Sequence, residues 1–162
     1  MQISHTIAEM FDYSYKFNLY YLNKLDPKRL HEPLITNGET GNSAYWLLGH
    51  LLWGEAEVVM EVLGETPLPI PWVRHFAMKI RKQEVKDLPD FQALVKEMDR
   101  VHTLAMEMIR KQSDEDLQLP AFVQPANWHT IRKKALYHTI RHQSFHTGQL
   151  ALIAKSHGAE TP

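Results

Sequence analysis

The chain predicts an all-α fold, a four-helix bundle with a long irregular crossover between the second and third helices. Three observations carry this. Apolar residues recur at i, i+3/i+4 and i+7 through four long segments. Nothing alternates with period two for long, so no sheet is expected. Pro27, Pro67, Pro69, Pro71, Pro89, Pro120 and Pro125 all fall between the segments. At 162 residues the chain is long enough to bury a good core, and one domain spanning 1–162 is expected.

The first segment reads as a helix over 2–24, with Ile3, Ile7, Met10, Phe11, Phe17 and Tyr21 approximating one face. Asp26-Pro27 and then Asn37-Gly38 break the pattern. The second helix starts in Gly41–Ala44, with Asn42 or Ser43 as N-cap, and runs through Trp46, Leu47, His50, Leu51, Trp53, Val58 and Val62 to Gly64, a good C′ residue. Residues 65–89 form the crossover, with at most a short helix around Phe76–Lys82. Loops this long in a compact domain are often functional covers. The third helix runs from Asp90, a natural N-cap, to Lys111, with Leu94, Val95, Met98, Val101, Ala105 and Ile109 on its apolar face. The fourth spans about Asn127 to Ser156 and ends at Gly158.

Bulk composition excludes more than it assigns. With 18 Lys+Arg against 19 Asp+Glu there is no basic stripe, so neither nucleic acid nor an anionic membrane is an expected partner. The absence of cysteine removes disulfides, zinc knuckles and cysteine nucleophiles, and any metal site must be built from His and carboxylates. The N-terminus lacks the basic and apolar regions of a signal peptide, and no apolar stretch approaches the ~20 residues of a membrane span. A cytoplasmic location is therefore expected.

His138, His142 and His146 stand four residues apart, which sets them on one side of the last helix about 6 Å apart along its axis. Ile131, Ala135, Phe145, Gln149 and Ile153 fall near the same stripe, the side such a helix should bury. A row of imidazoles there destabilises the core unless the nitrogens are satisfied, and a transition-metal ion satisfies them economically. His138 and His146 lie about 12 Å apart along the axis, too far to share one ion through metal–nitrogen bonds near 2 Å. One ion thus takes His138 and His142, or His142 and His146, plus a donor from elsewhere. His50, in Trp46-Leu-Leu-Gly-His-Leu-Leu-Trp53, is the best outside donor. Gly49 and Gly54 beside it permit a close approach. Glu57 is a candidate to orient an imidazole.

The pattern Asn42-Ser-x-x-Trp46-Leu-Leu-Gly-His50-Leu, followed by His142-x-x-x-His146-x-Gly-Gln149, resembles the DinB-like family of metal-binding four-helix bundles, over nearly the whole chain in helix order and length. The resemblance implies a divalent-metal triad of His50, His142 and His146, with His138 beside the ion or behind a ligand. Some relatives resemble thiol-dependent transferases or isomerases that use low-molecular-weight thiols.

Three neutral imidazoles leave a metal its charge and at least one open position, a catalytic layout. The expected ion is zinc or nickel, with iron, cobalt, copper or manganese also open. The first functional reading is a metal-activated, thiol-dependent transferase or a hydrolase acting on a small molecule under the crossover. The alternative is a non-catalytic metal-binding or stress-associated helical protein whose ion is structural or sensory, and below it stands a helical protein with no metal. A homodimer is expected from family habit and surplus apolar helix surface. Gln149, Tyr45, Trp46, Trp53 and, as a fourth ligand, His102 are further candidates, with Arg74 and Lys79 for an anionic substrate. His5, His31, His75, His129 and His157 are assigned no role.

Overall fold

A computed structural model describes residues 2–78, 87–121 and 131–160. Helix α1 spans Ile3–Leu22 and buries Ser4, Ile7, Phe11, Tyr15, Asn18 and Leu22, a seam of three- and four-residue steps. Strands β1, Pro33–Thr36, and β2, Glu39–Ser43, then pair antiparallel. This small sheet departs from the all-helical expectation. Its residues are mostly exposed, so it carries no burial alternation to read. The signal was the turn itself: Asn37 and Gly38, at φ 52° and 82°, form the two-residue Asn-Gly loop typical of hairpins.

Ser43 caps the next helix by accepting from the Trp46 backbone N–H at 3.2 Å. This helix, α2, is α-helical over Ala44–Trp53, π-helical over Gly54–Val59 and α-helical again over Met60–Leu63. It stops where Gly64 turns left-handed at φ 81°. In the crossover, a 3-10 turn at Val73–Phe76 buries Val73 and Phe76. The helix expected around Phe76–Lys82 meets this turn only at Phe76, and residues 79–86 lie outside the described residues.

Asp90 caps α3, Phe91–Arg110, accepting from the Ala93 N–H at 2.8 Å. Helix α4 spans Arg132–Ser156, and the start expected near Asn127 lies outside the described residues. The fold is mostly helical. Helices α1 and α2 each pack against both α3 and α4, which makes α2 and α4 neighbours along one side of the core. His50 and His142 meet across that seam. No helix among the described residues is long and apolar enough to cross a membrane.

Candidate metal centre

Helix α4 buries Arg132, Leu136, Thr139, Gln143, His146, Leu150 and Ile153, in alternating steps of four and three. The histidines step by four throughout, so each is rotated about 40° from the last relative to an ideal helix. His146 consequently lies in the buried seam, while His142 and His138 are half-buried at its edge. Phe145, expected near the buried stripe, is instead 59% exposed. The same geometry explains it: one step from His146 turns a side chain about 100° away from the seam.

His50 comes from α2 and is buried. Its ring stacks on Trp46 at 4.6 Å and on Trp53 at 5.3 Å, one turn before it and one turn after. Gly49 makes the placement feasible. A Cβ at that position would meet the Phe76 ring at 2.3 Å, so only glycine lets the crossover sit this close to α2. Docked there, the Phe76 carbonyl accepts from His50 Nδ1 at 2.7 Å. At Gly54, the other candidate for close approach, an added Cβ would meet nothing within 4 Å among the described residues.

The three rings meet tip to tip. His50 Nε2 lies 3.1 Å from His142 Nε2, and His146 Nε2 lies 3.0 Å from it. One ligand atom from each of the three falls within 4.8 Å of the others. Tetrahedral coordination at metal–nitrogen distances of about 2.0–2.1 Å places donor atoms roughly 3.3 Å apart, close to what is seen. Protons sharpen the point. The Phe76 carbonyl has only lone pairs, so His50 carries its proton on Nδ1 and presents a bare Nε2. Gln149 Oε1 accepts from His146 Nδ1 at 2.7 Å, which leaves His146 Nε2 bare as well. A neutral His142 has one proton and can satisfy at most one of them. The remaining contact sets lone pair against lone pair, and a cation at the centre removes that conflict.

Electrostatics keeps the rings in the form that binds metal. Burial pushes His50 down to about 4, against the raising effect of the Phe76 carbonyl. Burial, helped by the adjacent imidazoles and Arg141, pushes His142 down to about 3. Burial also lowers His146, although its bond to Gln149 opposes the shift. At neutral pH all three are uncharged, the form in which an imidazole can bind a metal. The triad could hold a metal ion, and no fourth His, Asp or Glu among the described residues joins it. Beside it opens a cavity of about 310 Å³, lined by Trp46, Met78, Arg141 and Phe145 together with Asn42 and the triad.

A family model of the DinB superfamily matches residues 10–150. The chain belongs to the DinB superfamily. Its fold is similar to that of a conserved protein from Enterococcus faecalis, with a TM-score of 0.71 over 99% of both chains at 15% identity. No curated protein matches it.

The remaining candidates of this DinB-like chain divide cleanly. Gln149 takes the orienting role described above, and Trp46 walls the cavity. His138 stacks 6.5 Å from His142 between ring centroids and stands outside the ligand cluster. Glu57 orients no imidazole among the described residues; it accepts from Trp53 Nε1 at 3.0 Å and pairs with Arg74 at 2.8 Å. That pairing gives Arg74 a protein partner. Tyr45 donates to the Pro89 carbonyl at 2.6 Å and packs on Phe76. Lys79 and His129 lie outside the described residues.

His102 is not a fourth ligand, because carboxylates occupy both of its nitrogens. Nδ1 lies 3.0 Å from Glu55 and Nε2 lies 3.0 Å from Asp12. Glu55, fully buried in the π-helical turn, also accepts from Gln143 Nε2, one residue from His142. Asp12 in turn meets Arg110. This network escaped the sequence reading, although Glu55 was visible there as a carboxylate amid the apolar run of the second helix. The cavity residues Met78 and Arg141 were also missed. Arg141 stands inside the histidine run, where an exposed helix arginine draws no notice.

Proposed function

We propose that this DinB-like protein is a divalent-metal enzyme with His50, His142 and His146 as its ligands. It acts on a small molecule as a metal-activated, thiol-dependent transferase or as a hydrolase. The observation that carries the reading is the meeting of three Nε2 atoms of which two are committed to present lone pairs. Orienting partners on the far nitrogens of metal-bound histidines are the usual mark of such centres. Zinc or nickel suits an all-imidazole donor set.

Three donors among the described residues, beside an open cavity, favour catalysis over a purely structural or sensory ion, since structural sites close their shell with four. A divalent ion held there supplies Lewis acidity, lowering the pKa of water or of a thiol that reaches its open position. The chain's own part is to orient and to exclude water. Phe76 and Gln149 fix two imidazoles, Trp46 and Trp53 hold His50 in its plane, and Trp46, Met78 and Phe145 give the substrate an apolar wall. With no cysteine in the chain, a thiol nucleophile has to arrive on a cosubstrate.

The test is elemental analysis of protein purified without an affinity tag, followed by a screen of thiol-transfer and hydrolysis reactions. About one zinc or nickel per chain is expected, with turnover abolished by chelation and restored by metal. A chain that binds no divalent ion after incubation with zinc and nickel would overturn the reading. Full occupancy without turnover in any screened reaction would favour the structural or sensory alternative.

A further inference from the structure

Four arginines among the described residues each hold a carboxylate: Arg29 with Glu32, Arg74 with Glu57, Arg100 with Glu97 and Arg110 with Asp12. Arg141 does not. It lines the cavity over the triad, is exposed, and makes no ion pair within the described residues. No carboxylate from the described residues lines that cavity either; apart from the imidazoles its lining is Asn42, Trp46, Met78 and Phe145. Arg141 is close enough for its charge to lower His142. The cavity therefore combines apolar walls, three neutral imidazoles and a guanidinium that no carboxylate of the described residues pairs with. Adding a divalent ion makes the pocket more cationic, with no counter-charge from the described residues of its lining.

We propose that this pocket takes a small anionic ligand and that Arg141 clamps its carboxylate. The proposal rests on the metal reading above and adds the substrate class. A guanidinium offers a planar fork of donors that matches a carboxylate with two parallel bonds. A cavity of about 310 Å³ admits a compact molecule with one end for the ion, one for Arg141 and an apolar body against Trp46 and Phe145. On the thiol-dependent reading, the ligand is a low-molecular-weight thiol that bears a carboxylate. Arg141 then chooses among thiols, while the triad alone would accept any of them.

The test compares two thiols of matched length, 3-mercaptopropionate and 3-mercaptopropan-1-ol, titrated by calorimetry into zinc-loaded protein. Wild type is expected to bind the carboxylate at least about tenfold more tightly than the alcohol, the range of a charge-assisted hydrogen bond. In Arg141→Gln the two affinities are expected to converge within about twofold, with the alcohol unchanged. Zinc content of that variant stays at the wild-type level, because Arg141 is exposed and no ligand. Arg141→Lys, which keeps the charge and loses the fork, is expected to fall between. Equal binding of both thiols by zinc-loaded wild type, or a preference that survives in Arg141→Gln, overturns this inference and leaves the metal reading standing. Wild type that takes up no zinc overturns the metal reading and this inference with it.

Discussion

Two histidine sites lie among the packed helices and are handled in opposite ways. At the α2–α4 seam, His50, His142 and His146 face one another with no carboxylate of the described residues among their hydrogen-bond partners. His102, on α3, stacks on Tyr15 at 4.0 Å and is held between Glu55 and Asp12. Burial lowers the pKa of all four. For His102 the two carboxylates outweigh it, and the net shift is upward. Burial alone thus favours the neutral imidazole, and flanking carboxylates favour the charged one. An imidazolium donates from both nitrogens and has no lone pair for a metal. The comparison explains why one group is a candidate centre and the other a structural ion network.

The largest effect that would break this contrast lies at the shared vertex. His142→Ala is expected to abolish metal binding, because His142 Nε2 is the atom both other rings approach. His50→Ala should weaken binding far more than His138→Ala, which is expected to leave stoichiometry near wild type. Elemental analysis and competition with a chelator measure all three. A His138→Ala loss larger than that of His50→Ala would show that the other i, i+4 pair holds the ion.

On the structural side, Glu55→Ala should be the most destabilising change. It leaves His102 with one carboxylate and removes the acceptor of Gln143, a buried pair broken from one side. The expected cost is about 3–5 kcal/mol, read from denaturant unfolding. Loss near zero would mean that the network carries no net charge pairing.

These two regions were not equally legible. The triad could be read because a four-residue repeat of one unusual side chain stands out, and because the family pattern chose His142 and His146 over His138. The Glu55–His102 network was not. Each residue is a lone polar break in an apolar stretch, and nothing in a single chain says that two such breaks face each other across helices. The π-helical turn that carries Glu55 has no periodicity signature of its own, since its six residues sit within a run that reads as one helix. Fold class was legible from periodicity, while the hairpin was hidden by strands too short and exposed to alternate. Arg141 illustrates a third kind of loss. Its interest lies in having no carboxylate partner among the described residues, which only spatial neighbours reveal.

Gly49 links the crossover to the centre and gives an intermediate effect. Gly49→Ala pushes the Phe76 ring off α2 and with it the carbonyl that fixes the His50 tautomer. Metal affinity is expected to fall about 10–100-fold, the usual scale for losing an orienting partner. Unchanged affinity, measured by chelator competition, would show that Phe76 does not orient His50 in solution.

The smallest effect is the most direct reading of the contrast, in metal-free protein at varied pH. His50 and His142 titrate at 6.5 when unfolded and at about 4 and about 3 when folded. Below pH 6.5 the unfolded chain takes up protons that the folded one refuses, so these residues make stability fall as the pH drops. His102 is raised above 6.5, so its contribution is complete below that pH and is lost as the pH rises through its folded value. Urea unfolding midpoints should therefore decline on both sides of about pH 6.5. Between roughly pH 5 and 6.5 most unfolded carboxylates are already ionised, which isolates the histidine contribution. His142→Gln should flatten the acid limb and leave the alkaline limb in place, and His102→Gln should do the reverse. If His102→Gln flattened the acid limb instead, His102 would be a neutral core histidine and the two clusters would not differ in kind.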